Sequence, residues 1–419
     1  MARRCACAIS AFLVVFQAAR AAEPPAKNSF GIKPEWVTSP QMLESMTKLH
    51  AAGVVENRRG SLTFFRWSND ASPRLAHLGL WGSGIDNQRL ALTDRLVDLE
   101  FVSLYETNVD DDGLQVLARL PKLRRLTVAP ICRYEKTGFG APQWSYPFVA
   151  ERPDRPRITG RGLAAFAENA MLEGVELLDA RLTSADLVFL KSWPKLSAVA
   201  LPNEVDAETV RHLSACGRLN QLTLGYREVT AAELECLSAW PKLRRLTLIH
   251  ARLSDDALAA FAKLTSVEEL RLDDCFLTDE RMSKLRLAEK TKILLLERNE
   301  IGAAGIAYLA NLNPTTLGLE FNNVDDAALD RLQQLSTVVD LRLAYCRGIT
   351  DIGVQSGVLQ RMRHVKRLNL RGLKQITDAS VDDLAKFEHL DHLGLRETTV
   401  GSAGITHLKS ALPNTEIFK

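Results

Sequence analysis

The sequence lacks the short patterns that usually announce chemistry. It holds no GxSxG, no GxGxxG after a strand, no GxxxxGK[ST] and no HExxH. The sequence signatures of serine hydrolases, dinucleotide sites, phosphate-binding loops and zinc proteases are therefore missing. No CxxC pair exists, so a zinc site has no support. Aromatic residues are only 6% of the chain. Charge of one sign is also missing. The 53 basic residues face 51 acidic ones, and without Arg3, Arg4 and Arg20 the balance is 50 to 51. A near-neutral chain has no global electrostatic reason to bind nucleic acid or an anionic membrane. A charged fraction of 25% and a hydrophobic fraction of 46% exclude a largely disordered chain and a polytopic membrane protein.

Met1 to Ala22 reads as a secretory signal. Arg3 and Arg4 start it, Ala6 to Phe16 is apolar, and Ala19-Arg20-Ala21 is a small-x-small cleavage site. The apolar run is shorter than the roughly 20 residues needed to span a bilayer. No later segment has 18 uncharged apolar residues in a row, so no membrane span is expected. The predicted location is outside the cytoplasm, periplasmic or extracellular. Five cysteines follow the leader: Cys132, Cys216, Cys236, Cys275 and Cys346. The odd number leaves at least one thiol unpaired, and no essential disulfide is expected.

What the chain does have is leucine, 65 of 419 residues. Leu222-Thr-Leu224, Leu246-Thr-Leu248, Leu270-Arg-Leu272 and Leu294-Leu-Leu296 recur every 24 residues. Leu78, Val102, Leu126, Val175 and Val199 are earlier copies, and Leu317, Leu341, Leu368 and Leu393 continue the series. Pro121-Lys-Leu-Arg-Arg-Leu-Thr127 is repeated unchanged as Pro241-Lys-Leu-Arg-Arg-Leu-Thr247, which points to duplication.

One unit has two halves. Leu222 and Leu224 alternate, which puts both on one face of a short strand. Leu234 and Leu237 are three apart, the spacing of a helix face. Thr230 with Glu233 forms a capping box, and Thr183 with Asp186 approximates one. Ser254-Asp255, Thr278-Asp279, Thr350-Asp351 and Thr377-Asp378 repeat the helix-start signal, the acid suiting the positive end of the dipole. Pro121, Pro194 and Pro241 end their helices. A unit this small cannot bury its leucines alone, but stacked copies can. The expected fold is α/β: a right-handed solenoid, curved as a horseshoe, with a parallel sheet inside and helices outside.

The pattern L-x-x-L-x-L-x-x-(N/C/T)-x-(I/L/V)-(T/S)-D-x-x-L-x-x-L resembles the leucine-rich repeat family. It is most similar to the cysteine-containing subtype of F-box-associated repeats and many exported bacterial proteins. Cys275, Cys346, Asn299, Asn322, Thr107 and Thr398 stand at the N/C/T position, while Ala180, Glu204, Arg227 and Ala251 depart from it. The resemblance covers Leu75 to Ile417.

Residues 1–22 are thus read as a signal peptide and 23–38 as a flexible linker. Residues 39–74 are read as an N-terminal cap of one helix plus a hairpin of Val54-Val55 with Leu62 to Trp67. Residues 75–419 carry about 13 repeats. The segment 129–157 interrupts them as a loop with five aromatics, five prolines and five basic residues. Loops of that length are usually functional or disordered.

Strand positions beside the inward leucines should face the open side of the curve. They supply Trp81, Phe101 and Tyr105 early, Glu176, Asp273 and Glu297 midway, and Arg342, Arg367, Arg371 and Arg396 late. Aromatic and arginine residues are the types enriched in binding hot spots. With Trp144 and Tyr146 of the loop, they are the candidate partner-binding residues. The four arginines could meet a carboxylate-rich partner. The expected function is a non-enzymatic scaffold that holds a protein, with a carbohydrate or cell-wall ligand as the alternative and an uncharacterised loop-based enzyme as the third. No catalytic residue, cofactor or metal is expected.

Overall fold

The computed structural model describes residues 75–129, 158–201, 207–213, 216–309 and 312–419. Elsewhere it describes only the strand backbones Leu62–Trp67, Arg133–Glu135 and Gln143–Ser145, with Glu44, Ser45 and Lys48. The leader, the linker, Val54-Val55, Cys132 and Tyr146 lie outside the described residues, as does the side chain of Trp144.

The repeat leucines decide the architecture. Among the described residues, fifteen strands form one sheet, from Leu62–Trp67 at one end to Glu416–Phe418 at the other. Leu222 pairs with Leu246, then Leu270, Leu294, Leu317, Leu341, Leu368 and Leu393, each on the next parallel strand. The same row runs back through Val199, Val175, Leu126 and Val102 to Leu78. A one-residue slip on any strand would turn its leucines out, so burial fixes the register. All of these residues are 3% exposed or less and belong to one core that runs from Leu75 to Leu412. A single spine on this scale is how a repeat protein buries what no unit could bury alone.

The first strand, Leu62–Trp67, runs antiparallel to Leu75–Trp81, with Leu62 opposite Trp81. It therefore pairs with the edge of the first repeat. The 129–157 insertion leaves the sheet undisturbed, because Arg125–Ala129 pairs directly with Gly174–Glu176. Within the insertion, Tyr134 opposes Trp144 in a short antiparallel pair.

The other layer holds short helices such as Asp111–Ala118, Ala231–Ser238 and Asp326–Leu332, with a 3-10 segment at Ser184–Ser192. The capping box forms: Glu233 N–H donates to Thr230 Oγ1 at 3.3 Å, and Thr230 N–H donates to Glu233 Oε2 at 2.9 Å. Ser254, Thr278, Thr350 and Thr377 all cap the helical turns that follow them.

The aspartates after these caps do more than face a dipole. Asp326 accepts from Thr350 N–H at 2.8 Å and Thr350 Oγ1–H at 2.6 Å, one repeat away. Asp111 does the same for Thr159, at 2.7 and 2.6 Å, and so ties the helix start before the insertion to the helix start after it. Burial opposes ionisation of Asp111, but Thr159 and Arg161 outweigh it and hold the carboxyl below its usual range.

A polar ladder runs inside the turns. Asn299 Oδ1 accepts from the Cys275 and Leu277 N–H groups at 2.9 and 3.0 Å. Cys346 Sγ donates to the Leu319 carbonyl at 3.1 Å. Cys216, Cys236, Cys275 and Cys346 are all unbridged. Burial pushes the Cys346 thiol up to about 12 and lifts Cys275 as well, so both serve as packing residues without thiolate reactivity.

Candidate binding face

Each strand offers alternate residues to the face opposite the core. On Glu269–Asp273, Leu270 and Leu272 point into the core, which leaves Glu269, Arg271 and Asp273 on the concave side. The neighbouring strands add Glu297, Glu320, Asp340, Arg342, Arg367 and Arg371 in register.

The centre of this face is a packed charge cluster, not a solvated surface. Arg271 reaches Asp273 on its own strand, and its Nη2 lies 3.1 Å from Glu297 Oε1. Arg342 Nη2 pairs with Asp340 Oδ2 at 3.0 Å, and Arg367 Nε shares the same oxygen at 3.3 Å. Asp273, Glu297, Glu320 and Asp340 are between 2% and 7% exposed. Burying carboxylates is costly unless each is paired, and here pairing is incomplete. Asp273 Oδ1, Glu297 Oε1, Glu320 Oε2, Arg271 Nη2 and Arg298 Nε are buried without a hydrogen-bond partner. The Arg271–Glu297 contact is close enough to attract but out of line for a hydrogen bond.

Between the flanking arginines, the middle position is Leu295 and then Gly318, so no cation faces Glu320 there. Burial and the neighbouring Glu297 hold Glu320 well above the usual carboxylate range, in spite of Arg342. Burial likewise lifts Asp273 to about 7, against the pull of Arg271. The face therefore holds protons at mildly acidic pH. Among the described residues, no group of three or more His, Cys, Asp and Glu side chains is placed to hold a metal ion.

The sequence-predicted residues fall into three groups. Tyr105 does not face solvent: it is 3% exposed and packs with Ala129, Leu178 and Ala200, with Trp81 against them. Its strand neighbours at that position are small or apolar, so the phenol closes over them. Trp81 and Phe101 are half-buried, Trp81 against Tyr105 and Phe101 against His77. Arg342, Arg367 and Arg371 are on the face, but carboxylates of this chain already hold them. Arg371 Nη2 lies 2.6 Å from Glu397 Oε1. Arg396 is half-buried and forms no ion pair among the described residues. Asp340 and Glu397 thus reach three of the four arginines and neutralise part of the charge on this face.

Single-residue motifs did not reveal a second row, directly after the strands. Tyr226, His250, Asp274, Arg298, Phe321, Tyr345 and Glu397 all have φ between 50° and 62°. Bulky residues occupy that left-handed region at a cost of roughly 1 kcal/mol each. Gly372 takes the same place at φ 76°. Their side chains stack along one rim. Arg298 lies 4.3 Å above the Phe321 ring, and the Phe321 and Tyr345 rings stack at 4.5 Å and 13°. Tyr345 Oη donates to Glu397 Oε2 at 3.1 Å. Farther along, His250 Nδ1 bonds Asp274 at 2.7 Å and its ring packs against Tyr226 and Phe276. Aligning the repeats on their leucines places these seven residues in one column, and that alignment is the signal that finds them.

No protein-family model matches the sequence, and no curated protein matches it. Solved structures with a similar course of the chain include an internalin from Listeria monocytogenes. That match has 19% identity and a TM-score of 0.41, covering 78% of this chain and 82% of the internalin. A second is TLR13 in a complex with ssRNA13, with 19% identity and a TM-score of 0.46, covering 79% of this chain and 50% of TLR13. A third is a leucine-rich repeat protein of Leptospira interrogans, with 14% identity and a TM-score of 0.35, covering 82% of this chain and 90% of that one. The fold assignment rests on the coordinates themselves. Parallel strands in strict leucine register, a continuous apolar spine and an opposite layer of short helices make this chain a leucine-rich repeat solenoid.

Proposed function

We propose that the chain is a non-enzymatic scaffold that holds a protein partner on its concave face. The observation that carries this reading is preorganisation. The face is a sheet in fixed register, and its long side chains are already held by Asp340, Glu297 and Glu397. Such a surface loses little side-chain freedom when a partner docks, which is where much of the cost of binding lies. The varied aromatic and arginine residues along it are of the type that anchors interfaces. The leader of Met1 to Ala22 supports export, so the partner is sought outside the cytoplasm. A carbohydrate ligand, which would use exposed aromatics such as Trp81 and Trp144, gains less support, because Trp81 is half-buried against Tyr105.

Affinity capture from native extracts tests this, using the full chain and an Arg367→Glu/Arg396→Glu variant. A protein that is held by the wild type and lost by the folded variant supports the reading. Equal capture by both, or capture of glycan alone, overturns it.

A further inference from the structure

We infer that the ridge from Arg298 through Phe321 and Tyr345 to Arg371 is a recognition edge for an acidic polypeptide segment. This rests on the reading of the chain as a protein-binding scaffold and adds the chemistry of what it binds.

The ridge is held in a backbone conformation that stability alone would give to glycine or asparagine. Arg298, Phe321 and Tyr345 have φ of 58°, 60° and 60°. Strained positions persist where the rest of the structure fixes them, and they concentrate at functional surfaces. Gly372 is shaped to serve the ridge: a β-carbon there would lie 2.2 Å from Tyr345 Cδ1. Only a glycine lets the Tyr345 ring lie over that turn and reach Glu397.

The way the rings are stacked decides what they can bind. Arg298 covers one face of Phe321 and Tyr345 covers the other. The far side of Tyr345 meets Gly372 and, at 5.5 Å, the Arg371 guanidinium. Sugars and nucleic-acid bases bind aromatic side chains through open ring faces, and these faces are taken. The half-buried rings present edges, which carry partial positive charge and attract oxygens. Glu397 is engaged by Arg371 and Tyr345. Arg298, at one end of the ridge, and Arg396, in the repeat beside Arg371, form no ion pair among the described residues, and the Arg396 carbonyl accepts the Gly372 N–H at 2.8 Å. Positive ring edges with these two arginines in the neighbouring repeats fit the carbonyl and carboxylate oxygens of an acidic peptide.

The test uses a fluorescein-labelled peptide of alternating Glu and Gly and reads anisotropy with the full chain. Binding that weakens as salt rises is expected. Phe321→Gly/Tyr345→Gly should weaken it about tenfold or more, and Arg298→Gln/Arg396→Gln should do the same. Both variants should keep the wild-type Tm within a few degrees. If the ring variant does not fold, the arginine variant decides. No peptide binding, wild-type affinity in the folded variants, or equally tight binding of cellohexaose or a dT oligonucleotide would overturn the inference. Should the peptide fail while capture on the concave face succeeds, only the ridge assignment falls.

Discussion

Asp351 holds Thr377 of the next repeat by two hydrogen bonds, accepting from its N–H at 2.9 Å and its hydroxyl at 2.6 Å. Ser380 donates to the same carboxylate. One side chain thus joins two helix starts that share no covalent neighbour. Burial works against the charge, but the Ser380 and Thr377 hydrogen bonds hold Asp351 below its usual range. Asp351→Ala should cost about 2 kcal/mol, the scale of hydrogen bonds to a charged group. Denaturant titration would show it as a lower midpoint with an unchanged slope. Unaltered stability would mean that these contacts do not couple the repeats.

The buried carboxylates give a pH dependence of opposite sign. Asp273 is raised to about 7 and Glu320 well above normal, so the folded state holds protons that the unfolded chain releases near pH 4. Stability from Asp273 is full below pH 4 and lost as pH climbs through about 7, and that from Glu320 is lost in the same direction as pH rises. For Asp273 the loss is at most about 4 kcal/mol, at 1.36 kcal/mol per pKa unit. The Asp351 contribution moves the other way, and only below about pH 4. Measured unfolding free energy should therefore fall from pH 4.5 to 8. Asp273→Asn/Glu320→Gln should flatten that slope, and a slope equal to that of the wild type would refute the assignment.

Arg342 and Arg396 look alike in sequence but should respond differently to alanine. The Arg342 side chain is 12% exposed against an Asp340 that is 3% exposed. Removing it leaves the buried Asp340 with Arg367 alone, and the lost charge-assisted contact should cost about 1.5–3 kcal/mol. Arg396→Ala should stay within about 0.5 kcal/mol, as surface changes do. Thermal melts of the two variants side by side would settle the difference.

Leu270 carries the register argument. It is 1% exposed and pairs with both Leu246 and Leu294. Leu270→Ala should cost about 2–5 kcal/mol. An unchanged Tm would mean that the side chain faces water and that the strand is misplaced.

The fold could be read from the sequence because its signal is local and repeated. Leucine spacing alone places Leu222, Leu246 and Leu270 on adjacent strands, and the cap residues mark each helix start. The binding face was only half readable. Periodicity tells which way Arg342 and Glu297 point, but not whether their charges are free. That depends on side-chain reach across strands, as when Asp340 takes both Arg342 and Arg367. Likewise, Asp351 fits a dipole argument within its own helix. Its bond to Thr377 appears only once the repeats are stacked. Tyr105 is buried although alternation points it away from the core, because alternation fixes a direction while burial depends on what Ala129 and Leu178 leave open.

Gly372 offers the sharpest test of the rim. Its φ of 76° suits glycine, and a β-carbon there would fall within 3 Å of three Tyr345 ring atoms. Gly372→Ala therefore brings two costs, a strained backbone and a displaced ring, together about 1–3 kcal/mol. The displaced ring should also lose its hydrogen bond to Glu397 and its stack on Phe321. In Gly372→Ala/Tyr345→Gly the clash is gone and only the backbone term remains. The double variant should therefore recover part of the lost stability. If it were no more stable than Gly372→Ala alone, the Tyr345 ring would not be resting on that turn.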